Sequence, residues 1–358
     1  MESQRKAYLD NIRWTTVLLV LIYHVGYLFN DVGIPGGIPN AANLPGVDVF
    51  CCVVYPWFMV LLFVVAGMSA RYSLQKRSIG QFLRERVTRL LVPSTLGLLV
   101  LHWITGYLNL RISGGLAYIP APLVYPIAVM SGIGPLWFIQ TLFLFSCALA
   151  LIQKLDRRNR LWQLGGRAGL PVVLLLFLVL WGAAQILNAP VLTVYRFGIY
   201  FAAFLIGYFI LSHDAIQQTL ARTAIPLIAL GVVGAVAYAL YYYGQNFTAD
   251  ACLKSGFTAL YLWVVVLAIL GGFRRFADRE TPLTRYLSRA SYGLYILHYP
   301  LLLAVCYGLQ TYGSLPAGWN YLLALLAECL LTPVLYEGIR RVPILRFWVL
   351  GIRKGDRK

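Results

Sequence analysis

The chain has 358 residues, of which only 12% are charged and 60% are hydrophobic, and its mean hydropathy is +0.72. A soluble domain carries about 25% charged residues, so this composition excludes an ordinary globular protein. Apolar stretches of about 20 residues, long enough to span a bilayer, recur from end to end. We therefore predict an all-α, polytopic transmembrane helical bundle that forms a single domain over residues 1–358.

The net charge of +17 raises the question of nucleic acid, and the distribution of the cations argues against it. With the N-terminus inside, all but three of the 30 lysines and arginines fall on the inner side of the predicted spans. This positive-inside pattern orients the helices and attracts anionic lipid headgroups. We expect membrane lipids as partners and no nucleic acid, with both termini and a basic tail, residues 340–358, in the cytoplasm.

Hydropathy predicts ten membrane-spanning helices. In chain order they lie at residues 12–30, 49–70, 90–109, 134–153, 169–187, 194–211, 224–243, 254–272, 291–311 and 320–339. Two outer loops, 31–48 and 110–133, are rich in Gly and Pro, and they are either binding loops or flexible connectors. On the inner side, the cationic segment 71–89 has apolar residues at near-helical spacing, which predicts an amphipathic surface helix.

The first predicted span carries two ionisable groups, Arg13 and His24, which lie eleven positions apart. On a helix this spacing puts them roughly 20° apart around the axis and about 16 Å apart along it. In one interpretation Asp10 caps the helix, Arg13 snorkels to the interface and His24 is a hydrogen-bonded core residue. In the other, Asp10 and Arg13 form an i, i+3 pair, and His24 removes a proton from a hydroxyl inside the membrane.

Arg86 and Arg89 stand three positions apart at the inner start of the third predicted span. At this spacing two guanidiniums share one face of a helix and form a fork for phosphate oxygens. The alternative is contact with lipid headgroups, which requires no bound ligand. The four histidines and six cysteines are scattered along the chain, so the sequence predicts neither a metal site nor a disulfide framework.

Polar and aromatic residues in the later spans form three more patterns. Trp137, in the fourth span, lines either an apolar tunnel or an interfacial aromatic belt. Ser291, Tyr295 and His298 follow at spacings of four and three on one helical face, which fits either a site or a helix–helix hydrogen bond. Glu328 lies midway along the last span, where an unpaired carboxylate is costly, so it pairs with an arginine or stays protonated.

In order along the chain, these motifs resemble those of the acyltransferase-3 family of integral membrane O-acyltransferases. Arg13 and His24 match its R-x10-H signature, and Arg86 and Arg89 match its RxxR motif, with the proline that follows it. Further stretches are similar to other signatures of the family: residues 57–74, 134–138, 291–298 and 336–343. The chain is also similar to the branch that includes the periplasmic glucan succinyl-transferring proteins.

The resemblance implies an enzyme, an acyltransferase for groups other than amino-acyl groups, in a bacterial inner membrane. It implies that an acyl group passes from cytoplasmic acyl-CoA, either acetyl-CoA or succinyl-CoA, to a hydroxyl of an extracytoplasmic acceptor such as a cell-envelope carbohydrate. The functional residues of the family then fall on Arg13, His24, Arg86 and Arg89, and no metal is implied. In this interpretation Arg86 and Arg89 bind the phosphates of CoA, Arg13 guides the same anion, and His24 is the base.

A transporter remains the alternative to an enzyme. A chain with many predicted spans, a buried His24 and Glu328, and no visible soluble domain also suits a proton-coupled carrier or flippase of a small polar or glycan substrate. The two classes differ in their dependence on an acyl donor. An acyltransferase binds acyl-CoA saturably, whereas a carrier moves its substrate across a vesicle membrane without any donor.

Overall fold

The computed structural model describes residues 6–34, 36–38, 43–189, 195–313 and 315–353. These residues form helices joined by short turns, and one isolated bridge pairs Asn188 with Arg196. The α-helices are α1 (Ala7–Leu28), α2 (Pro45–Leu74), α3 (Ile79–Arg86), α4 (Val92–Gly97), α5 (Trp103–Ile112), α6 (Val124–Ser131), α7 (Leu136–Leu155), α8 (Arg160–Gly165), α9 (Leu170–Ala184), α10 (Phe197–Ile206), α11 (Asp214–Arg222), α12 (Ala224–Tyr242), α13 (Asp250–Leu253), α14 (Gly256–Phe276), α15 (Pro282–Tyr312), α16 (Ala317–Arg341) and α17 (Pro343–Leu350).

Within the described ranges, seven helices are long and apolar enough to cross a membrane. They are α2, the continuous helical run Ile79–Ile112, α7, α12, α14, α15 and α16. The run Phe197–Leu211 makes an eighth if it is counted with α11, into which it bends by 97°. The remaining predicted spans fall on α1 and on the 15-residue α9. The prediction of an all-α polytopic fold is confirmed, whereas the count of ten spans and the cytoplasmic termini stay predictions.

The prediction of one amphipathic helix over residues 71–89 is wrong. Helix α2 continues to Leu74, and α3 starts at Ile79 and runs on into the next span. A reciprocal capping box explains the new start. The backbone N–H of Gln81 donates to Ser78 Oγ at 3.2 Å, and the backbone N–H of Ser78 donates to Gln81 Oε1 at 3.0 Å.

Two of the predicted segments lie partly outside the described residues. The outer loop 31–48 includes residues 35 and 39–42, and the basic tail 340–358 includes residues 354–358. The described part of that tail is largely helical, because α16 continues to Arg341 and α17 follows after a break at Val342. Helix α17 begins with Pro343, whose fixed φ suits the first position of a helix.

The chain divides into two compact units, each assembled from three segments. The first unit comprises Met1–Thr16, Cys52–Leu83 and Leu144–Ser288, and the second comprises Val17–Cys51, Arg84–Phe143 and Arg289–Lys358. Each unit thus joins helices that are far apart in sequence. The division falls inside α1, so Arg13 belongs to the first unit and His24 to the second.

In the first unit, two glycines allow α2 and the run from α10 to come into backbone contact. Gly67 faces the carbonyl of Phe204, and Gly207 faces the carbonyl of Val64. A Cβ atom at either position would collide with the opposite backbone. Small residues permit this close approach between membrane helices, where van der Waals packing replaces the hydrophobic drive available in water.

In the second unit, the second half of α1 packs against α15 and α16. The buried cluster that joins them consists of Val25, Leu28, Phe29, Ile38, Tyr299, Leu302, Leu303, Cys306, Tyr321 and Ala324. The hydroxyl of Tyr321 also donates to the carbonyl of Phe29 at 3.3 Å. His24 and His298 each directly precede the first member of this cluster on their own helix. The apolar packing therefore places the two histidines next to each other.

Candidate functional site

The second unit brings together two histidines that are 274 residues apart in the sequence. Nε2 of His298 lies 3.3 Å from Nδ1 of His24, and the ring centroids are 5.0 Å apart. His298 is fully buried, whereas His24 is half-buried. Sequence reasoning selected both residues but did not pair them, because only the fold brings α1 and α15 together at this level.

The hydrogen bonds determine which nitrogen of His298 carries the proton. Its Nδ1 lies 2.7 Å from the carbonyl oxygen of Tyr295. A carbonyl oxygen only accepts, so Nδ1 must be the donor. A neutral imidazole has a single N–H, and Nε2 of His298 therefore presents a lone pair to His24.

The same argument applies to His24. Its Nδ1 lies 2.8 Å from the carbonyl oxygen of Val20, so this nitrogen carries the proton. The Nδ1–H group then faces two acceptors, the Val20 carbonyl and the Nε2 lone pair of His298. Nε2 of neutral His24 is consequently the unprotonated nitrogen. Within the described part of the chain, the hydrogen bonds of His24 all involve Nδ1, which leaves Nε2 as the basic atom of the pair.

Aromatic rings surround this pair. Tyr299 meets His24 edge-on at 5.2 Å, and Tyr27 does so at 6.0 Å. Tyr295 lies 5.8 Å from the ring of His298, and its hydroxyl donates to the carbonyl of Pro135 at 2.5 Å. These rings give the two imidazoles a largely aromatic environment.

The hydrogen bond from Tyr295 joins two of the motifs. Residues 134–138 meet residues 291–298 there, and Phe138 packs edge-on against Tyr295 at 5.7 Å. Trp137 meets Phe138 at 6.3 Å and is only 9% exposed, so its ring is buried. Ser291 is also buried, one turn before Tyr295 on the same helical face. The hydroxyl of Tyr295 binds the turn just before α7, whereas His298 lies at the His24 pair. The role of this face as a site stays a prediction.

Arg86 and Arg89 both belong to the second unit, at the start of the helical run Ile79–Ile112. Arg86 ends α3, and Arg89 lies in the π-helical turn Val87–Leu91. The carbonyl of Arg89 lacks its usual helical donor, because Pro93, four residues later, has no N–H. The hydroxyl of Tyr292 donates to that carbonyl instead. The contact anchors the arginine-bearing turn to α15, six residues before His298.

Arg13 is held within the first unit. Its Nη1 donates to Asp10 at 2.8 Å, which confirms the predicted i, i+3 pair, and its Nη2 donates to Ser69 Oγ at 3.0 Å. Neighbouring Asn11 donates to the carbonyls of Ala277 and Arg279 at 2.7 and 2.9 Å. The side chain of Arg13 is 36% exposed, so part of the guanidinium stays accessible beyond these two partners.

Glu328 is buried in the second unit with 1% exposure. Its Oε1 accepts a hydrogen bond from Thr332 at 3.1 Å, one turn further along α16. Its Oε2 is buried and has no hydrogen-bond partner among the described residues. No arginine among the described residues binds Glu328, and of the two sequence-based options this favours the protonated carboxyl.

Sequence reasoning missed two residues of this unit. Tyr292 is one, although a proline four residues after Arg89 signals a carbonyl that needs another donor. His102 is the other, since it is fully buried in the π-helical turn Leu98–His102 of the second unit. Across the described ranges, no group of three His, Cys, Asp or Glu residues is placed to hold a metal ion.

Comparison with known proteins identifies one family. The model of the acyltransferase-3 family, described as an acyltransferase domain, matches residues 6–337, which is nearly the whole chain. No curated protein and no solved structure matches the chain. The matched region includes α1 to α15 and most of α16, and thus both units and the pair of histidines.

Proposed function

The chain belongs to the acyltransferase-3 family, and we propose that it transfers an acyl group from cytoplasmic acyl-CoA to a hydroxyl of an extracytoplasmic carbohydrate. The donor is acetyl-CoA or succinyl-CoA, and the membrane is the inner membrane of a bacterium. The observation that carries this proposal is the His24–His298 pair. Its hydrogen bonds leave a basic nitrogen, Nε2 of His24, among aromatic rings inside a chain whose family carries out acyl transfer.

The reaction follows from that nitrogen. Nε2 of His24 takes the proton of the acceptor hydroxyl while the oxygen attacks the carbonyl carbon of the thioester. The carbon–sulfur bond then breaks, the acyl group remains on the acceptor oxygen as an ester, and the sulfur leaves as the thiolate of CoA. The imidazolium gives its proton to this thiolate, which regenerates neutral His24 and releases CoA as a thiol.

His298 stabilises the charged form of His24 in this scheme. Once His24 is protonated on Nε2, its Nδ1–H carries more positive charge and binds more strongly to the lone pair of His298 and to the carbonyl of Val20. A third group that orients a catalytic histidine and stabilises its imidazolium is a general feature of such sites. In this chain the orienting group is a neutral imidazole instead of a carboxylate.

Inner-side arginines are the proposed holders of the donor. CoA is a phosphorylated anion made in the cytoplasm, and guanidiniums bind phosphate oxygens in pairs of parallel hydrogen bonds. We assign this role to Arg86 and Arg89, and we assign the guidance of the incoming anion to Arg13, which Asp10 holds in place. The outer loops, residues 31–48 and 110–133, are the proposed acceptor-binding segments.

Glu328 supports a second candidate function. A buried carboxyl with one free oxygen is typical of proton-coupled carriers, so a transporter or flippase is the alternative. The two functions separate in one assay on protein reconstituted in vesicles. Incorporation of labelled acyl groups from acetyl-CoA or succinyl-CoA into envelope glycan supports the transferase, and glycan flux without any donor supports the carrier.

The closing experiment tests the base directly. Envelope glycans from cells with the wild-type protein, with His24→Ala and without the protein are compared by mass spectrometry. We expect an acyl ester that is present only with the wild type. His213→Ala is the matched control, because His213 lies in the first unit, stacked on Trp162 at 3.9 Å. Equal acylation by a folded His24→Ala protein would contradict the proposal.

A further inference from the structure

His102 is a buried histidine that the proposed reaction does not use. It is 0% exposed, and neither ring nitrogen has a hydrogen-bond partner among the described residues. The carbonyl of Ile296 on α15 lies near the ring, outside hydrogen-bond geometry. A carbonyl only accepts, so even a closer approach would serve only the nitrogen that carries the proton. The other nitrogen presents a lone pair that lacks a donor.

Thr105 adds another unpartnered polar atom on the same face of this helical run. It follows His102 by three positions, close to one helical turn, and it is also 0% exposed. Its hydroxyl is buried, and no residue in the described ranges binds it. A threonine hydroxyl in a helix often donates to a carbonyl one turn earlier, as Thr95 of the same run does to Leu91 at 2.7 Å. Thr105 makes no such bond, so its hydroxyl is available to a ligand.

Thr105 lies next to the aromatic ring that contacts the candidate base. Gly134, in the turn before α7, has a left-handed φ of +41°. A Cβ atom there would lie 3.7 Å from Cγ2 of Thr105 and 3.3 Å from Cδ1 of Tyr299. Tyr299 in turn meets the ring of His24 at 5.2 Å. The unpartnered hydroxyl therefore belongs to the surroundings of His24, within the second unit.

The position of His102 along its helical run agrees with this placement. It follows Arg89 by thirteen positions, which corresponds to about 20 Å along a helix. It is also close enough to His298 for the two side chains to interact electrostatically. The run thus extends from the proposed phosphate-binding turn to the level of the histidine pair. CoA joins its phosphates to its sulfur through a pantetheine arm of comparable length, and this arm carries two amides.

The unpartnered atoms determine the class of ligand. A charged imidazole without a partner would be costly at this depth, so His102 is neutral and has one N–H and one lone pair. The carbonyl of Ile296 suits the N–H. The lone pair then needs a donor, and the hydroxyl of Thr105 needs an acceptor. A secondary amide supplies both, whereas a thioester supplies acceptors only and an acyl chain supplies neither.

We propose that His102 and Thr105 bind the pantetheine arm of acyl-CoA and so position its thioester beside His24. The lone pair of His102 accepts an amide N–H of the arm, and the hydroxyl of Thr105 donates to an amide carbonyl. The identity of this ligand rests on the proposed function, which supplies acyl-CoA as the donor. A sugar hydroxyl of the acceptor also both donates and accepts, and the experiment separates these two sources.

The test measures ligand binding by the full-length protein in detergent, without any glycan. Wild type is compared with His102→Leu, with Thr105→Val and with the control Thr95→Val, whose exposed hydroxyl is bound to its own helix. The ligands are CoA and adenosine 3′,5′-bisphosphate, a nucleotide that lacks the arm. We expect the first two variants to weaken CoA binding about fivefold to tenfold, because each loses a buried hydrogen bond to the arm. Their binding of the nucleotide and all binding by the control should match the wild type.

Thermal unfolding without ligand separates a binding role from a structural one. An apolar side chain in place of an unpartnered buried polar group is close to neutral, so His102→Leu and Thr105→Val should melt near the wild-type temperature. His102→Gln keeps a donor and an acceptor, so it should bind CoA more tightly than His102→Leu. This variant, together with Thr105→Val, decides the question if His102→Leu does not fold.

Three results would overturn the proposal. Unchanged CoA binding by the folded variants rejects the site, and an equal loss of nucleotide binding shows a general disturbance of the protein. Normal CoA binding with a raised KM for the glycan acceptor assigns these residues to the acceptor instead of the arm. If the wild type does not bind CoA at all, the proposed donor fails and this ligand fails with it, a result distinct from equal binding by wild type and variants.

Discussion

The two halves of α1 hold their polar side chains in different ways. In the first half Asn11 uses its amide for three hydrogen bonds, to two backbone carbonyls and to the indole of Trp14, and Arg13 binds both Asp10 and Ser69. In the second half His24 uses one ring nitrogen and leaves the other as a lone pair. The amide of Asn11, with all its partners in place, stabilises the fold, whereas an imidazole with a lone pair left over inside a membrane is available for chemistry. The comparison therefore separates a polar side chain that stabilises the fold from one that is free to react, although composition counts both simply as polar residues.

The largest expected effect comes from the second half of α1, which carries His24. His24→Ala removes the base and should lower turnover by about 10²- to 10⁴-fold, as is usual for general base catalysis. The rate of acyl transfer from labelled acyl-CoA in vesicles measures this. The melting temperature of the variant should stay close to that of the wild type. If activity falls only in proportion to the amount of folded protein, His24 stabilises the fold and the two halves of α1 do not differ in function.

The arginine pair comes next. The double variant Arg86→Gln, Arg89→Gln removes two phosphate-binding forks, so the KM for acyl-CoA should rise by about 10- to 100-fold while kcat changes less. Steady-state kinetics at several donor concentrations give both constants. Arg84→Gln is the matched control, since Arg84 lies on the same helix with an exposed side chain. A comparable rise in KM for this control would show that general charge, and not a site, attracts the donor.

His298 tests how the base is oriented. His298→Leu removes the lone pair that faces Nδ1 of His24 and should lower kcat by about tenfold with little change in the KM for acyl-CoA. His298→Gln offers a carbonyl oxygen as a replacement acceptor and should recover part of that loss. If Gln and Leu have the same effect, the contribution of His298 is one of packing and not of hydrogen bonding.

The smallest effect on activity is expected for Asn11, in the first half of α1. Asn11→Ala deletes three hydrogen bonds and leaves two carbonyls without that donor, so it should destabilise the protein by about 2–3 kcal/mol. Thermal unfolding in detergent measures this change. Activity per folded molecule should be unchanged, and a large fall in kcat for this variant would give Asn11 a part in the reaction.

Local reasoning about the polar segments succeeded where a single helix decides the geometry. The Asp10–Arg13 pair is present because an i, i+3 spacing brings the two side chains together on any helix. The prediction of one helix over residues 71–89 was wrong because it extended the apolar spacing across the capping box of Ser78 and Gln81, which starts a new helix. The cue was present in the sequence, but the near-helical period on both sides concealed it.

The amino-acid sequence by itself determined the class of the protein. A bilayer core offers no water to backbone groups, so a chain with recurrent apolar stretches of about 20 residues forms membrane-spanning helices. The ordered motifs also indicated the family. Only the tertiary structure decided that His298 faces His24 and that the hydroxyl of Tyr292 donates to the carbonyl of Arg89, because both contacts join residues far apart in the chain. Such contacts depend on how separate helices pack, and hydropathy and local spacing carry no information about that packing.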